Sequence, residues 1–344
     1  MRKRNVAIVG ATGAVGEELL GLLVKRGFPC DELRLLASPR SAGRRLAVGD
    51  REYVVEALSP QSFAGIKVAF FSAGGSVSLE YVPHALAAGA VVIDNTSAFR
   101  MDPEVPLIVP EVNADDIASH KGIIANPNCS TTIMAMVLGP LHKAMPIKRV
   151  VVSTYQAVSG AGARAIEELE QQVQAYVAGQ PLQARLLPCA GASKHYQIAF
   201  NLLPHIDSFQ DMGYTREEWK MVYETQKILR EPNLKVTATT VRVPVFRSHS
   251  ESINIEFSGP VSAEEARRIL GEASGIVVQD DPDHMEYPMP VDAAGQDPVF
   301  VGRIREDNSL PNALNLWVVG DQIRKGAALN SVQIAEHMVE HDMV

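Results

Sequence analysis

The sequence predicts an α/β protein of two domains: a mostly parallel sheet flanked by helices, then an α+β layer. Three observations carry this expectation. The first third alternates short apolar, β-rich runs with helical segments; the runs beyond residue 128 are longer and partly alternating; and 344 residues exceed what one ordinary core accommodates. Hydrophobic residues at 46% and charged residues at 21% suit a globular chain rather than a disordered one.

In chain order, residues 6–10 read as a buried strand and 16–25 as a helix. Strands at 32–38, 68–72, 91–94 and 123–125 continue a series whose helical spacers imply βαβ units. A strand at 149–156 precedes a helix over 163–179, where Ile166, Leu169, Val173, Tyr176 and Val177 form a stripe at helical spacing. Strands at 235–246 and 252–257 follow. Ser262-x-x-Glu265 is a capping box that opens a helix through Glu272. Two further strands, 298–305 and 313–319, lead to a last helix over 322–340, with Ala327, Ser331, Ile334, Ala335 and Met338 on one side. This second group predicts an antiparallel or mixed sheet with one face open for packing. The expected domains are 1–127, completed by 322–344, and 128–321, joined without a low-complexity linker.

Composition excludes several function classes. No apolar stretch reaches the ~18 residues of a membrane span, and the basic start Met1-Arg2-Lys3-Arg4 leads into a strand rather than a signal-peptide core, so a cytoplasmic protein is expected. Three cysteines (Cys30, Cys129, Cys189) give neither a disulfide framework nor a Cys-x-x-Cys spacing. His337 and His341 stand four apart, but on what is expected to be an exposed face of the last helix, so no metal site is expected. The net charge is −8, and no basic run follows residue 4, which argues against nucleic acid as a partner.

Gly10-Ala11-Thr12-Gly13-Ala14-Val15-Gly16 follows a strand and opens a helix. Glycines there allow a tight turn and close backbone approach, while the helix N-terminus offers free N–H groups to a pyrophosphate. This is a Rossmann-type dinucleotide signal. The end of the second strand selects the cofactor: NAD sites usually place an acidic residue there, but this chain has Ser38-Pro39-Arg40-Ser41. Arg40 with two hydroxyls suits a 2′-phosphate, so NADP is the expected cofactor.

Asn126-Pro127-Asn128-Cys129-Ser130-Thr131-Thr132 follows a strand and precedes an apolar helix. Pro127 keeps Asn126 extended, Asn128 suits the N-cap, and Cys129 falls in the first turn. The positive end of a helix favours a thiolate there, marking Cys129 as a nucleophile. Cys30 and Cys189 are expected to be small buried hydrophobes.

Four motifs together resemble the aspartate-semialdehyde dehydrogenase family in its bacterial form: Gly10–Gly16, Asn126-Pro-Asn-Cys-Ser130, Gln156-Ala-Val-Ser-Gly-Ala-Gly162 and Arg242-Val-Pro-Val-Phe-Arg-Ser-His249. The resemblance implies a second domain of the glyceraldehyde-3-phosphate dehydrogenase-like catalytic and dimerisation type. It also implies that Cys129 attacks L-aspartyl-4-phosphate, expels phosphate, and passes through a thioester to L-aspartate 4-semialdehyde with NADPH. That places the enzyme in lysine, threonine, methionine, isoleucine and diaminopimelate biosynthesis, as a cytoplasmic homodimer.

By the same resemblance His249 is the acid–base residue, which calls for an imidazole that exchanges a proton near neutral pH. Gln156 orients the acyl group. Arg242 grips the α-carboxylate and Glu217 the ammonium; Arg100 and Lys220 bind phosphate, and Asn128 lies beside the substrate. Ser159, Gly160 and Gln322 extend the cofactor contacts. Read on its own spacing, Glu217–Lys220 is an exposed ion pair on a helix. Many relatives have Asn at the position of Gln322 and proline at that of Gln197; the segment 194–201 is expected at a dimer interface or beside the site. The rival reading is a related acyl-phosphate reductase such as one acting on N-acetyl-glutamyl phosphate, which would have no use for an anion opposite an ammonium group.

Overall fold

The computed structural model describes residues 4–189 and 191–344; Met1, Arg2 and Lys3 of the basic start, and Ala190, lie outside the described residues. In chain order its elements are β1 (Arg4–Val9), α1 (Ala14–Lys25), β2 (Cys30–Ala37), β3 (Arg45–Val48), β4 (Arg51–Ala57), β5 (Val68–Phe71), α2 (Gly75–Ala87), β6 (Val91–Asp94), α3 (Pro110–Asn113) and β7 (Ile123–Ala125). Then come α4 (Cys129–Ala144), β8 (Ile147–Gln156), α5 (Ala163–Val177), α6 (Arg216–Ile228), β9 (Lys235–Arg242), β10 (His249–Phe257) and α7 (Ala263–Glu272). The series closes with β11 (Ile276–Val278), α8 (Pro290–Ala293), β12 (Val299–Glu306), β13 (Ala313–Gly320) and α9 (Leu329–Glu340).

The chain forms two compact units, one reaching Asn128 and resuming over Ala327–Val344, the other Cys129–Gly326. In the first unit the strand order is β3-β4-β2-β1-β5-β6-β7, parallel throughout except for the β3–β4 hairpin at one edge. β1 therefore lies between β2 and β5, where the winding reverses. In open α/β sheets such a reversal leaves a crevice at the carboxyl ends of the strands, and the Gly10 turn follows directly from β1. Strands buried on both faces must be continuously apolar, which is why Val6–Val9 and Val68–Phe71 show no exposed side chain. α9 completes this unit: Val332, Ile334, Ala335 and Met338 are fully buried in one cluster with Leu19, Leu22 and Leu23 of α1. Full burial stabilises a side chain the size of Val332, Ile334 or Met338 by about 1.5–3 kcal/mol, so the C-terminal helix is an integral wall of the core.

The second unit holds a six-stranded sheet ordered β11-β12-β13-β10-β8-β9. It is mixed: β10 runs antiparallel to β8 and β13, while β8 and β9 are parallel. Period-2 alternation divides β10, with His249, Glu251, Ile253, Ile255 and Phe257 inward and Ser252 exposed. The inward face packs beneath α4 and α7. On the other face Tyr155 of β8 is still exposed, its ring 5.4 Å from that of Trp317 on β13.

Several expected boundaries move. β9 ends at Arg242, because Pro244 cannot donate to a ladder, so the strand is shorter than 235–246. β10 starts at His249, three residues before the expected strand at 252. The last helix does not run from 322: a π-helical turn, Arg324–Ala328, comes first, and regular α-helix starts at Leu329. The β3–β4 hairpin was not anticipated. Ser262 does cap α7, accepting from the Glu265 N–H at 3.1 Å.

Candidate active site

Cys129 is the first residue of α4, directly after Asn128 at the N-cap position. Gly326 leaves it room, since a Cβ there would stand 2.9 Å from the Cys129 Cβ. Cys129 is half-buried and its Sγ lies 3.4 Å from His249 Nε2. Cys30 and Cys189 are not the buried hydrophobes expected; both are half-exposed, and the Cys30 thiol donates to the Glu32 carbonyl at 2.9 Å.

His249 opens β10 on its inward face and is fully buried. The Ala157 N–H donates to its Nδ1 at 3.0 Å. A backbone donor cannot turn away, so Nδ1 carries a lone pair and the neutral ring carries its hydrogen on Nε2. That hydrogen faces sulfur. The expectation of an imidazole titrating near neutrality is not met: burial first, then the Arg242 charge, lower its pKa to about 3, with Glu217 opposing. His249 is a neutral donor at physiological pH.

Gln156 ends β8, parallel to Arg242 at the end of β9 and in register with it. Its Oε1 accepts from Thr154 Oγ1 at 3.1 Å, and its Nε2 donates to Glu217 Oε1 at 3.2 Å. The acceptor-only carboxylate fixes which way the amide faces. The Gln156 nitrogen also lies 3.4 Å from His249 Nε2, so cysteine, imidazole and amide meet at one point.

Arg242 is buried and donates through Nη1 to the Ala157 carbonyl at 2.7 Å. Its buried Nε has no hydrogen-bond partner, a donor held for an anion. Burial weakens its hold on its proton, opposed by Glu217 and Cys129. Glu217, in the first turn of α6 after the Thr215 capping box, is also buried. The Glu217–Lys220 pair is therefore not the exposed one its spacing suggested. Lys220 Nζ stands 3.0 Å from both Glu217 Oε2 and Asp207 Oδ2. Burial pulls its pKa down, but the two carboxylates outweigh this and raise it. Asp207 was not anticipated, and its loop carries no local motif. Thr154 was legible as the inward residue two before Gln156.

Gly160 sits where even a methyl group would press on its neighbours. A Cβ there would fall 2.9 Å from Arg242 Nη1 and 3.3 Å from His249 Nε2. Ser159 is buried beside it and receives the Gln322 amide nitrogen, while Gln322 Oε1 accepts from the Ser248 N–H at 2.8 Å. Segment 194–201 forms no regular element. Ile198 and Ala199 are buried, and the Gln172 side chain accepts both of their N–H groups at 2.9 Å.

The remaining predicted residues lie in the first unit. Gly10 has φ +90°, and a Cβ there would meet the Ala73 nitrogen at 2.9 Å. Gly16 packs so closely that a Cβ would overlap the Gly10 carbonyl. Gly13, at the N-cap of α1, supplies no side-chain cap, so Thr12, Gly13, Ala14 and Val15 leave the helix start open to an anion. Ser38, Arg40 and Ser41 form a short turn after β2, with Arg40 exposed and no carboxylate among them. These residues fit a nicotinamide dinucleotide, and the turn offers a cation with no carboxylate beside it. Arg100 is buried and held by the carbonyls of Asn126 at 2.9 Å and Asn95 at 2.8 Å. Asn330 of α9 donates to Asn126 Oδ1 at 2.7 Å, steadying the loop that leads to Asn128. Among the described residues no group of three metal-ligating side chains occurs, and no helix is long and apolar enough to cross a membrane.

Comparison with known proteins identifies the family. The family profile described as semialdehyde dehydrogenase, NAD binding domain, matches residues 5–120; the one described as semialdehyde dehydrogenase, dimerisation domain, matches 138–325. An aspartate-semialdehyde dehydrogenase of Bacillus subtilis is 52% identical, covering 100% of this chain and 99% of its own; one of Aquifex aeolicus is 55% identical, covering 99% of each. The crystal structure of aspartate semialdehyde dehydrogenase II from Vibrio cholerae, complexed with ASA, superposes with a TM-score of 0.93 at 46% identity over 99% of both chains. That of the Candida albicans enzyme with NADP gives 0.75 at 26% identity, covering 99% of this chain and 100% of its own.

Proposed function

The chain belongs to the aspartate-semialdehyde dehydrogenase family, and from that premise we propose that it converts L-aspartyl-4-phosphate to L-aspartate 4-semialdehyde, reversibly and with NADPH, through a thioester on Cys129. The observation that carries this reading is the meeting of Cys129, His249 and Gln156 beside the buried charges of Arg242 and Glu217.

Arg242 receives the substrate α-carboxylate on its open Nε–H, and Glu217 receives the ammonium group. Gln156 holds the acyl group beside sulfur without adding charge. The Cys129 thiolate attacks the acyl carbon; the S–C bond forms, the C–O bond to phosphate breaks, and phosphate leaves with the electron pair. Arg100 and Lys220 hold the departing phosphate, with Asn128 beside it. Residues 10–16 would hold NADPH, with Ser38, Arg40 and Ser41 around its 2′-phosphate; bound there, it would supply the hydride that takes the thioester to the aldehyde level. The resulting oxyanion re-forms the carbonyl and expels the thiolate; the one proton consumed overall is taken from solvent by the departing phosphate, which ends as hydrogenphosphate. His249 serves both oxyanions as the fixed donor Nε2–H, an electrostatic role that needs no imidazolium. Ser159 and Gly160 give the nicotinamide side a close backbone approach.

In this reading residues 1–127 with 322–344 hold the cofactor, and 128–321 carry the chemistry and a two-fold contact. The open sheet face around Tyr155 and Trp317 supports a homodimer, which this reading places in the cytoplasm. The reaction serves biosynthesis of lysine, threonine, methionine, isoleucine and diaminopimelate. The test is phosphate-dependent reduction of NADP by L-aspartate semialdehyde, compared with Cys129→Ala and with N-acetyl-glutamate semialdehyde. The variant should lose several orders of magnitude in turnover, as loss of a covalent nucleophile does. Equal turnover of the N-acetylated aldehyde would favour the related reductase instead.

A further inference from the structure

Three consecutive residues at the end of β13 each grip one residue of the segment that leads into His249. Gly320 is the register partner of His249 across the sheet. Asp321, fully buried, pairs through Oδ2 with Arg247 Nε at 2.5 Å. The same carboxylate accepts from the Gly295 N–H at 2.6 Å and, through Oδ1, from Ile323 at 2.9 Å and Arg324 at 3.1 Å. Gln322 takes the residue between, accepting from the Ser248 N–H at 2.8 Å.

Ser248 is the unusual member. It is fully buried and has φ +75°, in the left-handed region that is strained for a non-glycine residue. That turn sends the chain from the Arg247 side onto the inward face, so that His249 starts β10 pointing at Cys129. Such a conformation persists only where its surroundings over-determine it. Gln322 does this twice: its oxygen satisfies the Ser248 N–H, and its nitrogen donates to Ser159 Oγ in the 3₁₀ turn Val158–Ala161. The Ala157 N–H that fixes the His249 ring immediately precedes that turn. Both ends of the amide are thus spent on the two segments that hold the imidazole, and a direct contact with a cofactor would require one of these bonds to break.

We propose that Gln322, backed by Asp321, is a positioning residue for His249, holding Ser248 in the left-handed turn that presents the imidazole to Cys129. This rests on the reading of His249 as a catalytic donor. It differs from the cofactor contact expected for Gln322 in what it predicts for kinetics.

The experiment measures steady-state kinetics of Gln322→Leu, Gln322→Asn, Gln322→Leu/Ser248→Gly and His249→Ala, with L-aspartate semialdehyde, phosphate and NADP. Gln322→Asn shortens the side chain so that one amide cannot span Ser248 and Ser159, and it guards against a leucine variant that fails to fold. Both single variants should lose about 10- to 100-fold in kcat, the effect of an unsatisfied buried N–H and a released turn, with the KM for NADP within about twofold of wild type. Glycine at position 248 adopts positive φ freely, so the double variant should recover at least about threefold of the lost kcat. A raised KM for NADP with kcat unchanged would overturn the proposal in favour of a cofactor contact. A fall in kcat that Ser248→Gly leaves untouched would also overturn it. Undiminished turnover in His249→Ala would instead defeat the catalytic reading beneath it.

Discussion

Gly160→Ala adds one methyl group at the most crowded point of the site. The new Cβ would stand 2.9 Å from Arg242 Nη1, 3.2 Å from His249 Cε1 and 3.3 Å from His249 Nε2. None of these atoms retreats easily. Nη1 is bonded to the Ala157 carbonyl at 2.7 Å, and the imidazole is pinned by the Ala157 N–H at 3.0 Å. Ordinary carbon contacts begin at about 3.5 Å, so a few tenths of an ångström must be absorbed by the two groups proposed to meet the substrate. Misplacement of reacting groups by about 1 Å can cost roughly 100-fold, so kcat/KM for semialdehyde should fall by about 10- to 100-fold. Stability should hardly change, because Gly160 is exposed and is not among the positive-φ glycines. The assay is the phosphate-dependent reduction of NADP, with a thermal melt alongside. Wild-type kcat/KM for semialdehyde with a raised KM for NADP would refute the steric argument and leave Gly160 as a cofactor seat alone.

Three further outcomes are expected. Arg40→Ala should raise the KM for NADP by roughly tenfold or more while leaving that for NAD unchanged, the effect of one lost charge-assisted bond; an unchanged NADP-to-NAD ratio would remove Arg40 from the 2′-phosphate. Glu217→Gln should raise the KM for semialdehyde far more than that for NADP, and equal effects would count against the ammonium role. Glu251, fully buried on the inward face of β10 with neither carboxylate oxygen hydrogen-bonded, has its pKa raised well above 4.5 by burial. The native state therefore keeps a proton that the unfolded chain releases, and this contribution to stability, full below pH 4.5, is lost as pH rises toward the folded pKa. Glu251→Gln is neutral throughout, so its melting temperature relative to wild type should climb as pH rises above 4.5; a constant difference would mean that Glu251 is not held neutral.

The first unit was largely legible because its signals are local. Strands buried on both faces must be apolar runs, and a glycine turn between a strand and a helix has few other uses, so residues 6–10 and 16–25 fell close to β1 and α1. The β3–β4 hairpin escaped because its strands are short and carry Arg45, Arg51 and Glu52 at a sheet edge, so the alternation of Leu46 with Val48 and of Tyr53 with Val55 toward the core is brief. In the site, Cys129 was visible from its flanks, since proline and asparagine before an apolar helix define a cap. The state of His249 was not visible. Its low pKa comes from complete burial and from Arg242, and its tautomer comes from the Ala157 N–H, 92 residues away in sequence. Long-range partners hid Lys220 in the same way: a spacing of three predicts an exposed pair, and only the loop holding Asp207 turns it into a half-buried cluster. The last helix was misread at its start because a π-turn has the composition of a helix. The turn places Gly326 against Cys129.

The central claim is that Cys129 carries the acyl group. Mixed with L-aspartate semialdehyde and NADP but without phosphate, the enzyme should release NADPH in a burst of about one equivalent per active site and then stall, because the thioester lacks its acceptor. Intact-mass analysis of the stalled enzyme, followed by peptide mapping, should place one aspartyl adduct on Cys129, and Cys129→Ala should show neither burst nor adduct. A full burst from Cys129→Ala, or an adduct mapped to Cys30 or Cys189, would contradict the account.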